Sequence, residues 1–355
     1  MEAFIEGISA ISPQKTLVGT GFLRDLQEYK GVHALKCIEP PYNEFLDPMA
    51  SRRMSRIVKM GVCAAIKCLH EASVENTDAI ITGTGLGCIE DTEKFLTSLY
   101  TNEEKLLNPT PFIQSTHNTV AAAIALMLKC NGYNNTYVHR GFSFESALLD
   151  GLMLLHEGAA GHILVGGLDE LTNHSFTITD RLGFWKRQVV DSLSLLEYKG
   201  KGSLAGEGLA FFALCHEKSE KTIARIRSMD TFFNPGSPAE TEHRISGFVE
   251  KAVGGMINID LVVLGMNGDP EMDEIYHHLS NNLFGQVPCT YFKHLCGEYD
   301  TASSFALFIA VAILKEQKVP EAIRLDNRSV GQIKNILVYN HVRNTNHSMF
   351  VISVC

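Results

Sequence analysis

The chain has 355 residues, 45% hydrophobic and 20% charged, with a formal net charge of −9 and a pI near 5.9. That is globular material for one large domain or two fused ones, and its acidity excludes nucleic-acid binding as the main task. Nine scattered cysteines without a CxxC pair predict reduced, buried thiols in a cytoplasmic protein, not a disulfide framework. Cys63 and Cys68 fall on different faces of one helix. Met1 to Gly7 has no basic stretch followed by an apolar one, so no signal peptide is predicted. The longest apolar run, Phe305 to Leu314, is half the length of a membrane span and reads as a buried core helix. His277 and His278 form a lone pair without metal-ligand spacing, and no metal or other cofactor is expected.

In chain order, Phe4 to Ser9 is predicted as a strand and Ala50 to Ala72 as a long helix with an apolar stripe. Arg52, Arg53 and Arg56 make a small basic cluster at its start, readable as a carrier contact or as a solvated helix start. A buried strand, Ala79 to Thr84, ends in the glycine-rich Gly83 to Gly87, and an alanine-rich helix covers Asn118 to Lys129. Thr136 to His139 is a strand, Ser143 to His156 a helix, and His162 to Gly167 and Leu209 to His216 are buried strands. After the charged joint Glu217 to Lys221 the rhythm begins again. Ile223 to Phe233 is a strand, Glu240 to Met256 a helix and Asp260 to Leu264 a strand. The apolar helix Thr301 to Lys315 and the strands Asn335 to His341 and Met349 to Val354 complete the series. The alternation predicts a layered α/β protein built from two successive halves, 1–218 and 219–355, sharing one core.

The strand before Arg140 runs into the helix at Ser143 with almost no loop. A turn this sharp at a helix N-terminus is where acyl-transfer enzymes hold a Ser or Cys, because the exposed amides and the helix dipole favour an anion. The residue at its apex is Gly141.

Several segments carry a family likeness in a shared order: Gly7 to Pro13, Arg52 to Arg56, Asn108 to Phe112 with Ser115 to Asn118, and Gly206-Glu207-Gly208-Leu209-Ala210. Together with the elbow they resemble the β-ketoacyl synthases of fatty acid and polyketide assembly. The resemblance implies a thiolase-like, five-layered αβαβα architecture of two duplicated halves with mixed sheets. It also implies a cysteine at the elbow. Counting forward from Asn118 and back from Gly158 places that cysteine's position on Gly141, and Ser143 matches a small residue two places later. The family's two histidines correspond to Asn267, in Gly265-Met266-Asn267-Gly268-Asp269-Pro270, and to Glu298, in Lys293-His294-Leu295-Cys296-Gly297-Glu298. A glutamate there would repel a developing oxyanion, while the retained Lys293 could pair with it in a collapsed site. The family's C-terminal glycine-rich gate reads Asn340 to Asn346 here, with bulky side chains in place of glycines.

The reading that follows is a non-catalytic homologue resembling the chain-length factors of type II polyketide and aryl-polyene systems. Such a subunit pairs with an active ketosynthase, has an acyl carrier protein as a further partner and shapes the acyl tunnel by volume. Phe112, His117, Asn118, Phe142 and Phe144 are the expected tunnel or interface residues, with core packing as the alternative. A second reading is an acyltransferase with a substitute nucleophile, Ser143 assisted by His139 or His117, or Cys296. A third is a homodimeric scaffold that binds an acyl chain or a carrier protein without chemistry.

Overall fold

The computed structural model describes residues 1–17, 21 and 24–355. The first half supplies strands β1 (Ala3–Ile11), β2 (Ala79–Gly83), β3 (Tyr133–Tyr137), β4 (His162–Asp169) and β5 (Gly208–Cys215). The second supplies β6 (Ala224–Phe233), β7 (Leu261–Leu264), β8 (Cys289–Tyr291), β9 (Asn335–Val342) and β10 (Asn346–Ser353). Among the described residues these join in the order β3-β2-β4-β5-β1-β6-β10-β9-β7-β8. Adding five to each label of the first half reproduces the second half read from its outer edge, so the two halves share one topology. The β2 and β7 neighbours are parallel and the remaining pairs antiparallel, which makes the sheet mixed. A short antiparallel seam, Ala3 to Ile5 of β1 against Ala224 to Ile226 of β6, joins the halves.

The period-2 alternation of strand side chains sorts the core into layers. Ala79 and Ile81 of β2 and Ile163 and Val165 of β4 face a central cluster; Ile80 and Leu164 face an outer one. In the second half, Leu261 and Val263 share that central cluster, and Val262 and Leu264 face another outer one. The helices, in chain order, are α1 (Pro48–Ser51), α2 (Arg56–Ala72), α3 (Ile89–Thr101), α4 (Pro109–Gln114), α5 (Thr119–Leu128) and α6 (Ser143–His156). They continue with α7 (Asn173–Arg181), α8 (Pro238–Val253), α9 (Pro270–Asn282), α10 (Lys293–Cys296) and α11 (Ala302–Glu316). Helices α2 and α5 cover one outer face, α8 and α9 the other, and α6 and α11 lie between the half-sheets. That is the five-layered αβαβα order. Helix α11 is buried from Ala302 to Leu314, on all its faces, as an all-round apolar helix must be.

Three boundaries differ from the sequence reading for identifiable reasons. The long helix from Ala50 is broken: the Asp47 carboxylate caps α1 through the amides of Met49 and Ala50, and extended Ser55 restarts the chain as α2. Strand β3 starts earlier and stops at Tyr137, because its register is set by parallel pairing of Tyr133 to Tyr137 with Ala79 to Gly83. Helix α8 begins at Pro238, where Ser237 accepts the Glu240 amide, and ends at Gly254 with φ +77°. Helices α3, α7 and α9 and strand β8 complete the alternation.

Arg56 is not part of a free basic patch. Its guanidinium grips the fully buried Glu207 carboxylate with two bonds, of 3.0 and 2.7 Å, and Glu39 with a third of 2.7 Å. Arg52 and Arg53 remain exposed. Glu207 also accepts the amides of Cys37 and Leu171, each at 2.9 Å. Burial pushes the Glu207 pKa up, but Arg56, Lys36 and the Leu171 amide outweigh it and hold the carboxyl below its usual range. Removing Arg56 would strand this charge in the interior. We expect Arg56→Ala to lose about 3 kcal/mol in urea unfolding, and Arg56→Lys, which lacks the planar fork, to recover only part. A loss no larger than that of Arg52→Ala would contradict this assignment.

Candidate functional site

The elbow lies where β3 meets α6. Arg140, Gly141 and Phe142 form a single 3₁₀ turn, and Arg140 takes φ +51°, an unusual conformation for a side chain of its size. Gly141 is buried, and a Cβ there would stand 2.8 Å from Cβ and Cγ2 of Val342 and 3.3 Å from Cβ of Asn346. The seat is therefore filled. Its plug is the tip of the β9–β10 hairpin, where Arg343 and Asn344 both take positive φ (+52° and +51°) and Val342 pairs with Asn346. This is the segment that the sequence resemblance aligns with the family's glycine-rich gate.

Opposite the elbow, the three polar residues singled out by sequence come together. Lys293 is fully buried and its ammonium donates to both oxygens of Glu298, at 2.9 and 2.7 Å, and to the His341 carbonyl at 3.1 Å. Asn267 Nδ2 donates to Glu298 at 2.8 Å, and Asn267 Oδ1 accepts the Asp269 amide. All three ammonium protons of Lys293 have acceptors, so the pair fills the pocket as a closed unit. Asp269 is a helix cap: it accepts the Glu271 amide at the start of α9. Asp273 behind it accepts the amides of Asn267 and Gly268, yet burial still lifts its pKa to about 6.

Neither spare nucleophile is free. The Ser143 hydroxyl is buried and accepts the His139 amide at 2.8 Å, while the exposed His139 ring meets Ser146 at 3.4 Å. His117 is exposed and sits against Gly87. Cys296 is fully buried, its Sγ 3.2 Å from the Gly297 carbonyl, and burial pushes its thiol well above the usual range.

Two cavities adjoin this turn, one of about 390 Å³ and one of about 820 Å³. They share Leu86, Arg140, Ser175, Thr179, Phe184, Asp300, Val342 and Arg343. The aromatic residues chosen from sequence lie elsewhere. Phe144 is core, packed against Phe212 and Phe350 with ring centroids 5.7 and 6.3 Å away, so it cannot line a tunnel. Phe142 is buried edge-on to His139. Phe112 is 58% exposed beside Phe95, and Asn118 is exposed at the start of α5. Sequence reasoning missed Phe184, Asp300 and Arg343. Arg343 lies over the Phe184 ring at 3.4 Å, a contact between residues distant in sequence that no local pattern announces.

Residues 29–182 match the family model described as "Beta-ketoacyl synthase, N-terminal domain". Among curated proteins no relative matches by sequence. Among solved structures, the ishigamide ketosynthase/chain length factor superposes with a TM-score of 0.82 at 16% identity, covering 100% of this chain and 99% of that one. A β-ketoacyl synthase from Burkholderia phymatum STM815 gives 0.80 at 14% identity, covering 100% and 99%. A chain of the complex of a ketosynthase with its chain length factor from Xenorhabdus doucetiae gives 0.74 at 15%, covering 99% and 98%. The chain thus has the thiolase-like ketosynthase fold, and its residues 29–182 match the model of the β-ketoacyl synthase N-terminal domain. Proteins described as ketosynthase/chain length factor are among the structures that share this fold.

The filled seat gives a direct test. Gly141→Ala should cost about 1–3 kcal/mol through the clash with Val342. Val342→Gly in the same chain should return part of that loss, a coupling of about 1 kcal/mol in a double-mutant cycle by urea unfolding. Additive effects would show that the seat is open.

Proposed function

We propose that this protein is a non-catalytic β-ketoacyl synthase homologue, chain-length-factor-like, that works in the cytoplasm as the partner of an active ketosynthase. The observation that carries this reading is the plugged elbow: Val342 and Asn346 occupy the space a nucleophilic side chain would need. The closed Lys293–Glu298–Asn267 unit supports it, because acceptor oxygens stand where donors to an oxyanion are required. In this proposal Gly141, Asn267 and Glu298 occupy the family's Cys/His/His positions, and 1–218 and 219–355 are the two ketosynthase-like halves. The acyl chain, delivered on a carrier protein to the partner's cysteine, grows until the walls of the joint tunnel exclude another unit. Each further CH₂ that fits gains about 0.8 kcal/mol and each that clashes is refused.

The partner role is supported by the β3 edge of the sheet. Strand β3 has β2 as its neighbour on one side and none on the other among the described residues. Around it Tyr133, Val138, Leu126, Leu149 and Met153 are 40–80% exposed. An uncovered edge strand flanked by exposed apolar side chains is a pairing surface, which soluble chains otherwise guard with charge or prolines.

Co-expression with a cysteine-containing ketosynthase encoded beside it tests this reading. We expect a stable one-to-one complex by size-exclusion chromatography with light scattering. A homodimer that persists unchanged in the presence of that ketosynthase would sink the proposal in favour of a scaffold.

A further inference from the structure

The larger cavity beside the elbow is a mainly apolar groove with two arginines in its lining. Helices α3 and α7 form its sides through Ile89, Leu96 and Ile178, with Leu182 just beyond α7. Leu96, Ile178 and Leu182 are 55%, 60% and 63% exposed, a concentration of large apolar surface in one concave place. At about 820 Å³ it falls in the size range of small-molecule sites, roughly 300–1,000 Å³.

At its elbow end stand two arginines. Arg140 and Arg343 flank the Gly141–Val342 contact, and both hold left-handed backbone, φ +51° and +52°. Asp300 is the carboxylate beside them, 3.6 Å from Arg140. The other nearby acids accept hydrogen bonds from groups other than these two arginines. Asp169 accepts from Gly85, Thr84 and, twice, Thr301; Glu298 is held by Lys293; Glu93 accepts the Thr172 hydroxyl. Two guanidinium groups thus share one carboxylate, and the Arg343 fork stacks on Phe184 with its edge donors still available.

We propose that this groove binds an acyl chain ending in a carboxylate, its chain along α3 and α7 and its carboxylate on Arg140 and Arg343. The apolar walls alone would accept any alkyl chain; the arginine pair selects an anionic end. The site belongs to this chain's own groove, so it stands or falls independently of whether a ketosynthase pairs with β3.

The test is isothermal titration calorimetry of the full chain with dodecanoate, kept below its micellar concentration, and with dodecanol. Dodecanoate should bind at least about tenfold more tightly than the alcohol, the worth of one charge-assisted bond. R140Q/R343Q should bring the two ligands level, and R140K/R343K should retain part of the preference. Both side chains are largely outside the core, and the unfolding temperature of each variant without ligand checks that the fold is kept. Ile178→Asp should weaken both ligands together. Equal binding of acid and alcohol by the parent protein, or a preference that survives R140Q/R343Q, overturns the inference. The half-thioester of dodecanedioic acid with N-acetylcysteamine separates the sources: tighter binding than dodecanoate assigns the site to carrier-borne chains, weaker binding to free acids.

Discussion

The buried Glu207 carboxylate is the constraint on which the site's geometry rests. It lies in a glycine-flanked turn, and the surrounding segments meet there because an interior charge must be fully paired. Arg56 brings the start of α2, Cys37 the N-terminal loop and Leu171 the loop after β4. With the turn fixed, Gly206 can lie directly on Gly297, where a Cβ on either would meet backbone at 2.0–2.6 Å. That contact carries the Glu298 segment, which exchanges backbone bonds with Leu204 and Gly206. Glu298 then holds Lys293, and Lys293 holds the carbonyl of His341 in β9. The next residue, Val342, fills the space at Gly141. A run of short-range contacts thus connects a structural ion pair to the closed elbow.

This arrangement separates shape from chemistry. Acyl-transfer sites need a nucleophile at the turn and donors where negative charge develops. Here the turn survives without space for a nucleophile, and the opposing pocket presents a carboxylate already neutralised by an ammonium. The buried histidines nearby are structural as well. His341 stacks on Tyr276 and bonds the Met272 carbonyl, and burial together with Lys293 holds its pKa far below the ordinary histidine value. What remains open is the groove beside the elbow, and its walls suit binding.

Much of the fold was legible in the sequence because burial imposes periodicity. Helix α11 is apolar on every face, and the β4 and β7 strands are continuous apolar runs, so both were found without tertiary knowledge. The position of Gly141 was also readable, and so was the Lys293–Glu298 pair, since they lie five positions apart across one short helix. The plug was only half readable: the bulky gate residues were visible, but their arrival at Gly141 depends on the β9–β10 hairpin. Phe144 was misplaced because an aromatic beside an elbow looks the same in sequence whether it faces a tunnel or the core. Arg140 and Arg343 went unnoticed, being 203 positions apart and joined only by the contact between their neighbours.

The central claim is that the elbow cannot take up an acyl group. Intact-mass spectrometry of the purified chain after incubation with an acyl-loaded carrier protein addresses it directly. The account expects an unchanged mass under conditions in which a cysteine-bearing ketosynthase is fully acylated. A stoichiometric acyl adduct, lost on Ser143→Ala or Cys296→Ala, would contradict it.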